Sequence, residues 1–336
     1  MRYMVLTLAS VALIAVAAVL AVWDAFTSGL AVPAGLGANS VVVTVKDGEG
    51  LEALLPRLAT QGLVKDVALM RRYLRNFHDE KPLVAGEYEL SPSMSAADLV
   101  AHLESGRRLE WPVDIPEGST VEEAADLLSE AGIVDRAAFV SVASAPALLR
   151  KVGLPHLEGY LLPEVYSFAR GTSADVVAHT MVQAFERVYA QTVGDRTNGL
   201  TRTEVVTLAS LIEKSSVAPK ERRLFSALLR NRLRAGIPLQ SASARAYAKA
   251  KPERSRSAWN TFAKPGLPPG PICSPGTGAL LAAADPATSR ALYAVARDDG
   301  THVFCDDLDC LYEQSRRHGR PLPRPLPLPR RAPSSP

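Results

Sequence analysis

The amino-acid sequence predicts an α+β protein in three parts: an N-terminal transmembrane helix, a small α/β module and a larger mixed α+β domain. Residues 3–23 form an uncharged apolar run, and two later stretches match each other 70 positions apart. The second half then sets capped helical periodicity beside a stretch too rich in Pro and Gly to be an element. The 336 residues, 47% hydrophobic and 22% charged, suffice for two hydrophobic cores.

The run Tyr3–Trp23 contains no charged side chain. As a helix it is long enough to cross a hydrocarbon core of about 30 Å. Arg2 precedes it, Trp23 can anchor the far interface and Asp24 is the next charge. Residues 1–24 therefore read as a cytoplasmic amino end and anchor, with the rest of the chain outside. The competing reading is a cleaved signal peptide, since "AVAAVLAVWDA" holds small-residue triplets, although the run is long for a signal h-region. Residues 25–40 read as a linker.

"VVVTVKDGEGLEALLPRLATQGLVKD" from Val41 and "WPVDIPEGSTVEEAADLLSEAGIVDR" from Trp111 then align at an offset of 70. Val45 pairs with Ile115, Gly48 with Gly118, Leu58 with Leu128, Gly62 with Gly132 and Val64 with Val134. Each copy reads as strand, turn, helix, turn, helix. In the second, Ser119 and Glu122 have the spacing of a capping box, and Gly132 closes the helix. Two related modules explain so long a period better than a solenoid does. "GEYEL" at 86–90 reads as a strand, and a helix runs from Ser95 to near Gly106. The small module is thus 41–107 and the larger domain 108–319, of which 108–150 is a repeat-like lead-in.

The larger domain is helical first. Thr201 and Glu204 form a capping box, opening a helix whose Val205, Leu208, Ala209, Leu211 and Ile212 face a core. Glu213 falls on the flank of that stripe. The next helix starts near Pro219, repeats Leu224, Phe225, Leu228, Leu229 and Leu233, and stops at Gly236, so the two helices should pack as neighbours. "WNTFAKPGLPPGPICSPG" at 259–276 reads as a fixed, extended loop. Residues 320–336, "RPLPRPLPLPRRAPSSP", read as a disordered polyproline II tail, with partner binding as the alternative.

The formal charge of +3 arises from 38 basic and 35 acidic residues, with much of the excess near the C-terminus. With 6% aromatic residues and no basic stripe interleaved with them, nucleic acid is excluded as the expected partner. Three cysteines are too few for a disulfide scaffold; Cys305 and Cys310 can pair in an oxidising compartment, leaving Cys273 free. No Cys or His cluster has metal-ligand spacing, so no metal is expected.

"EGYLLPEVYSF" (158–168), "LASLIEKSS" (208–216), "NRLRAGIPLQS" (231–241), "WNTF" (259–262) and "GLPPGPICSPG" (266–276) resemble, in order and spacing, the successive motifs of the MltG (YceG-like) family of endolytic murein transglycosylases. The likeness covers nearly all of 41–318, and residues 41–107 resemble that family's LysM-like membrane-proximal module. It implies a single-pass protein of the plasma (inner) membrane with a periplasmic or extracellular catalytic domain. That domain would cut the β-1,4 bond between N-acetylmuramic acid and N-acetylglucosamine in nascent glycan strands, form 1,6-anhydro ends and terminate elongation. It further implies peptidoglycan strands and cell-wall synthases (penicillin-binding proteins) as partners, and no cofactor. By the family's pattern Glu213 is the catalytic residue, while Glu158, Tyr160, Asn231, Gln240, Asn260 and Thr261 line the saccharide cleft.

A carboxylic acid kept protonated by apolar surroundings suits that chemistry. The chain departs from the pattern at Ala242 and Ser243, where the family has Asp-Pro after Gln-Ser/Thr. It departs again at Ser215, the second acid of Glu-Lys-Glu, and at Glu164, where aspartate is common. Losing two acids leaves open a catalytically weak glycan-binding scaffold that recruits synthesis proteins. The residues themselves also permit plainer roles: Glu158 in an ion pair, Asn231 and Asn260 capping turns, and Tyr160, Tyr166 and Phe168 in a core.

Overall fold

The computed structural model describes residues 2–35, 37, 39–79, 81–215, 218–251 and 258–322, so all but the first three residues of the Pro-rich tail lie outside the described residues. The chain divides into two compact units, 1–111 with 168–171, and 112–167 with 172–336.

The first unit opens with α1 (Arg2–Ala31), which continues past Trp23 into the first part of the segment expected to be linker. Its Leu13–Ala31 stretch has a length and apolarity compatible with a membrane span. The small module follows as β1 (Val41–Val45), α2 (Leu51–Thr60), α3 (Val67–Phe77), β2 (Gly86–Leu90) and α4 (Ala96–Glu104). Strands β1 and β2 pair antiparallel with Val43 opposite Tyr88. Both alternate so that Val43, Val45, Tyr88 and Leu90 point inward onto Leu51, Leu54, Leu55 and Leu58 of α2 and Leu99 and Leu103 of α4. Ser95 caps α4 as expected, accepting from the Asp98 amide.

The repeat is visible in the backbone. Gly48 and Gly118 share left-handed φ values of 71° and 84°, and Gly62 and Gly132 share 73° and 71°. Both helices end on the same i→i−5 bond, Leu63 N to Leu58 O and Ile133 N to Leu128 O, each 2.9 Å. The second copy is built from β3 (Glu110–Asp114), α5 (Val121–Glu130) and α6 (Arg136–Ala143). Its cap lies one residue later than expected: Thr120 and Glu123 form the box, because Ser119 Oγ instead donates to Pro116 O at 2.7 Å. After α7 (Pro146–Val152), β4 (Val165–Ala169) pairs with β3.

The rest of the second unit is mostly helical: α8 (Ala174–Thr192), α9 (Arg202–Glu213), a 3₁₀ turn at Pro219–Glu221, α10 (Arg222–Arg234), α11 (Ala242–Ala250) and α12 (Thr277–Ala284). A hairpin, β5 (Tyr293–Ala296) with β6 (His302–Cys305), and α13 (Leu308–Arg317) complete it. The Cys305–Cys310 disulfide ties β6 to α13, and Cys273 is free and buried. Thr201 and Glu204 cap α9 as expected, and α10 packs beside it. One expectation changes. Every residue of α9 from Val205 to Ile212 is buried, so this is a helix enclosed on all sides, mainly by α10 and α12, rather than one with an apolar stripe. Glu213 therefore stands at the end of a buried helix, not on its flank.

Candidate active site

Enclosing α9 makes its last residue the point where the core meets the surface. The Glu213 side chain is 8% exposed and held at both oxygens. Arg222 Nη2, from the first turn of α10, donates to Oε1 at 2.9 Å, and the Gly276 amide, ahead of α12, donates to Oε2 at 2.9 Å. Burial pushes this carboxyl above the usual carboxylate range; the Gly276 amide, Arg222 and Lys214 pull it down, and Glu117 adds to the rise. A carboxyl so placed can hold a proton and give it up.

The loop that brings Gly276 here is fixed, as its Pro and Gly content predicts. Ile272 N donates to Ser210 Oγ at 3.1 Å, and Cys273 Sγ lies 3.6 Å from Ser210 O. The turn after β3 clasps the same loop twice, through Gly118 N to Ser274 O and Ser274 N to Ser119 O, both 2.8 Å. Burial pushes the Cys273 thiol well up, which makes it a packing group and no nucleophile.

A second knot lies at the start of α11. Gln240 N donates to Thr261 O and Ser241 N to Thr261 Oγ1, both at 2.9 Å, and Ser241 caps α11. Gln240 takes a left-handed φ of 55°, a conformation that costs a non-glycine residue free energy and is held here by those bonds. Ser243 Oγ donates to Lys214 O at 3.3 Å, tying α11 to the end of α9. Two clefts, of about 460 and 650 Å³, share Lys214 and Ser243 in their walls. Gln240 and Ala242 line the first, and Glu122, Glu123, Tyr247 and Lys251 the second.

The residues expected in the cleft divide accordingly. Gln240 lines it and Thr261 buttresses Gln240 from a buried position. Asn260 caps its own turn, accepting from Phe262 N at 3.2 Å. Asn231 donates to Ser289 O and Ala291 O, both at 2.9 Å, and so fastens α10 to the segment before β5. Glu158 is 2% exposed and sits behind the second cleft, accepting from Tyr247 Oη at 2.6 Å and Val121 N at 3.1 Å, with Lys251 Nζ 3.6 Å away. Tyr160 is fully buried against Phe185, its hydroxyl 3.3 Å from Thr203 Oγ1. It is a core residue, as are Tyr166 and Phe168, because the Glu-Gly-Tyr turn points the ring inward. Among the described residues no group of three His, Cys, Asp or Glu is placed to hold a metal.

The sequence did not point to Glu117, Arg222 and Gly276. Glu117 Oε2 lies 3.3 Å from the same Arg222 Nη2 that holds Glu213. A Cβ on Gly276 would stand 1.9 Å from Glu117 Oε1, and one on Gly278 2.2 Å from Arg222 Nη1. The Gly-Thr-Gly spacing at the start of α12 is the available signal.

Residues 43–317 match the YceG-like family. A curated protein of Streptococcus pneumoniae (strain R6) named endolytic murein transglycosylase is 30% identical over 308 residues, covering 78% of this chain and 55% of the relative. One of the same name from Bacillus subtilis (strain 168) is 23% identical over 299 residues, covering 80% and 82%. The chain spans about half the length of its Streptococcus relatives. A crystal structure of a YceG-like protein from Listeria monocytogenes superposes with a TM-score of 0.55 at 24% identity, covering 82% of this chain and 99% of that one, which is a likeness of fold.

Proposed function

This chain belongs to the YceG-like family, and on that footing we propose that it is an endolytic lytic transglycosylase of peptidoglycan. The observation that carries the proposal is Glu213: a nearly buried carboxyl at the end of α9, with its proton affinity raised by burial and its neighbour Lys214 in the walls of both clefts. Glu213 protonates the bridging oxygen as the bond from muramic acid C1 breaks. The C6 hydroxyl of the same sugar then attacks C1, and the Glu213 carboxylate takes up the hydroxyl proton. One group serves as acid and then as base, and the product is a 1,6-anhydro end. Gln240, on its strained backbone, is a polar group of the cleft wall that can fix the saccharide.

The remaining parts fit a protein working on nascent strands outside the plasma membrane. Residues 3–23 anchor it with Arg2 on the cytoplasmic side, and the Cys305–Cys310 disulfide suits an oxidising compartment. The strand–helix–helix–strand order of 41–90 supports reading 41–107 as a LysM-like module that docks glycan. Cell-wall synthases are the protein partners this reading implies. A catalytically weak scaffold remains the second reading, since Ser215 and Ala242 replace family acids; Glu117, beside Glu213, speaks against it.

The test is to incubate the detergent-solubilised full-length chain with uncross-linked glycan strands and weigh the released ends. Anhydromuramic ends, about 18 Da lighter than hydrolysed ends by one water, are expected. Reducing ends would overturn the one-carboxylate mechanism, and no cleavage would favour the scaffold.

A further inference from the structure

Glu117 lies on the turn between β3 and α5, within the second copy of the repeat and outside every motif that carries the family likeness. The turn is held in place by its double backbone clasp to Ser274. Arg222 Nη2 reaches Glu213 Oε1 at 2.9 Å and Glu117 Oε2 at 3.3 Å, so one nitrogen is divided between two carboxylates. Arg222 Nε is buried without a hydrogen-bond partner, which leaves the guanidinium's hold on the site to its outer nitrogens. Gly276 and Gly278 supply the space: a methyl at 276 would overlap the Glu117 carboxylate, and a methyl at 278 the Arg222 guanidinium.

We propose that Glu117 is a positioning residue of the active site, the carboxylate that shares the charge of Arg222 and so keeps Glu213 able to hold the proton it donates. The inference rests on the transglycosylase reading. The charged and polar groups that face Glu213 are Arg222 from α10, Lys214 at the end of α9, Glu117 from the turn and the Gly276 amide. Lys214 Nζ lies over the same turn, 3.4 Å from where a Cβ on Gly118 would be. Two cations therefore face two carboxylates. With Glu117 present, protonating Glu213 takes the cluster from neutral to one positive charge. Without it, the same step takes one positive charge to two. Removing Glu117 thus makes the protonated acid harder to form, while the geometry that Arg222 and Gly276 impose on Glu213 stays.

The test compares pH–rate profiles of full-length wild type, Glu117→Gln and Glu117→Asp for release of anhydromuropeptides. The alkaline limb, where Glu213 loses its proton, should move down by roughly one pH unit in Glu117→Gln, with KM and the plateau rate at low pH near wild type. Above the limb the rate should fall about tenfold at fixed pH. Glu117→Asp, which keeps the charge, should restore the limb. A limb that stays in place in Glu117→Gln, or a loss equal at every pH, overturns the proposal. Carbon-13 NMR titration of the Glu213 carboxyl, identified by its absence in Glu213→Gln, reads the same shift without turnover. A wild type that releases nothing would sink the transglycosylase reading and leave the titration to decide this one.

Discussion

Glu213→Gln should separate catalysis from stability by several kcal/mol, and the geometry gives both magnitudes. The glutamine keeps one acceptor oxygen for either Arg222 Nη2 or the Gly276 amide, each 2.9 Å away in the wild type. Its NH₂ faces the other donor, so one charge-assisted hydrogen bond is lost, about 1.5–3 kcal/mol. Against that, Arg222 keeps Glu117 as a partner, and the neutral amide removes a carboxyl whose ionised form burial disfavours. These effects oppose each other, and the stability should change by about 1 kcal/mol or less. In the reaction nothing replaces the proton. One proton transfer is worth about 10²–10⁴-fold and this group makes two, so a loss of at least ~10⁴, about 5.4 kcal/mol of barrier, is expected. The assay pairs denaturant melts with single-turnover release of labelled anhydromuropeptides, and a pull-down on insoluble glycan that should be unaffected. Activity within tenfold of wild type, in a variant with the wild-type melt, would refute the assignment of Glu213.

Gly159→Ala should destabilise the second unit by about 2–4 kcal/mol in urea melts, because φ is +86° and the new Cβ would meet Pro271 Cβ at 2.4 Å and Val206 Cγ1 at 3.2 Å; a loss under about 1 kcal/mol would mean the loop yields. Burial also raises the Glu158 carboxyl, so the fold binds that proton more tightly than the unfolded chain, and stability should fall as pH rises from the ordinary carboxylate range through the raised value. In thermal melts Glu158→Gln should remove the share of that decline not owed to Glu213, and an unchanged slope would count against it. Ala242 is exposed at the first position of α11, so Ala242→Asp should gain about 0.3–1 kcal/mol from the helix dipole and leave turnover unchanged or higher. Loss of turnover in a folded Asp variant would show that this cleft has no place for the acid.

The elements legible in the sequence were those whose signals are local. Ser95, Thr201 and Glu204 fix caps within four residues, and the glycines at 62, 132 and 236 mark helix ends by their own backbone. The α5 cap lies one position beyond the one the spacing predicts because Ser119–Thr120 and Glu122–Glu123 offer two overlapping boxes, and the preceding turn chooses between them. Burial is harder to read. Nothing near Glu158 or Tyr160 in the chain announces that Tyr247 and Phe185 close over them. Glu117 was hidden by distance, since 105 positions separate it from the arginine it shares with Glu213.

The matched turns place the same kind of side chain in two different surroundings. Seventy positions before Glu117 stands Asp47, followed like Glu117 by a left-handed glycine. An acid stands ahead of that glycine in both copies of the repeat, and Glu117 of the later copy shares with Glu213 the arginine that holds it. The same turn thus leaves Asp47 exposed and brings Glu117 to a buried carboxyl, so the surroundings of the acid are set by what the turn packs against and not by the turn itself.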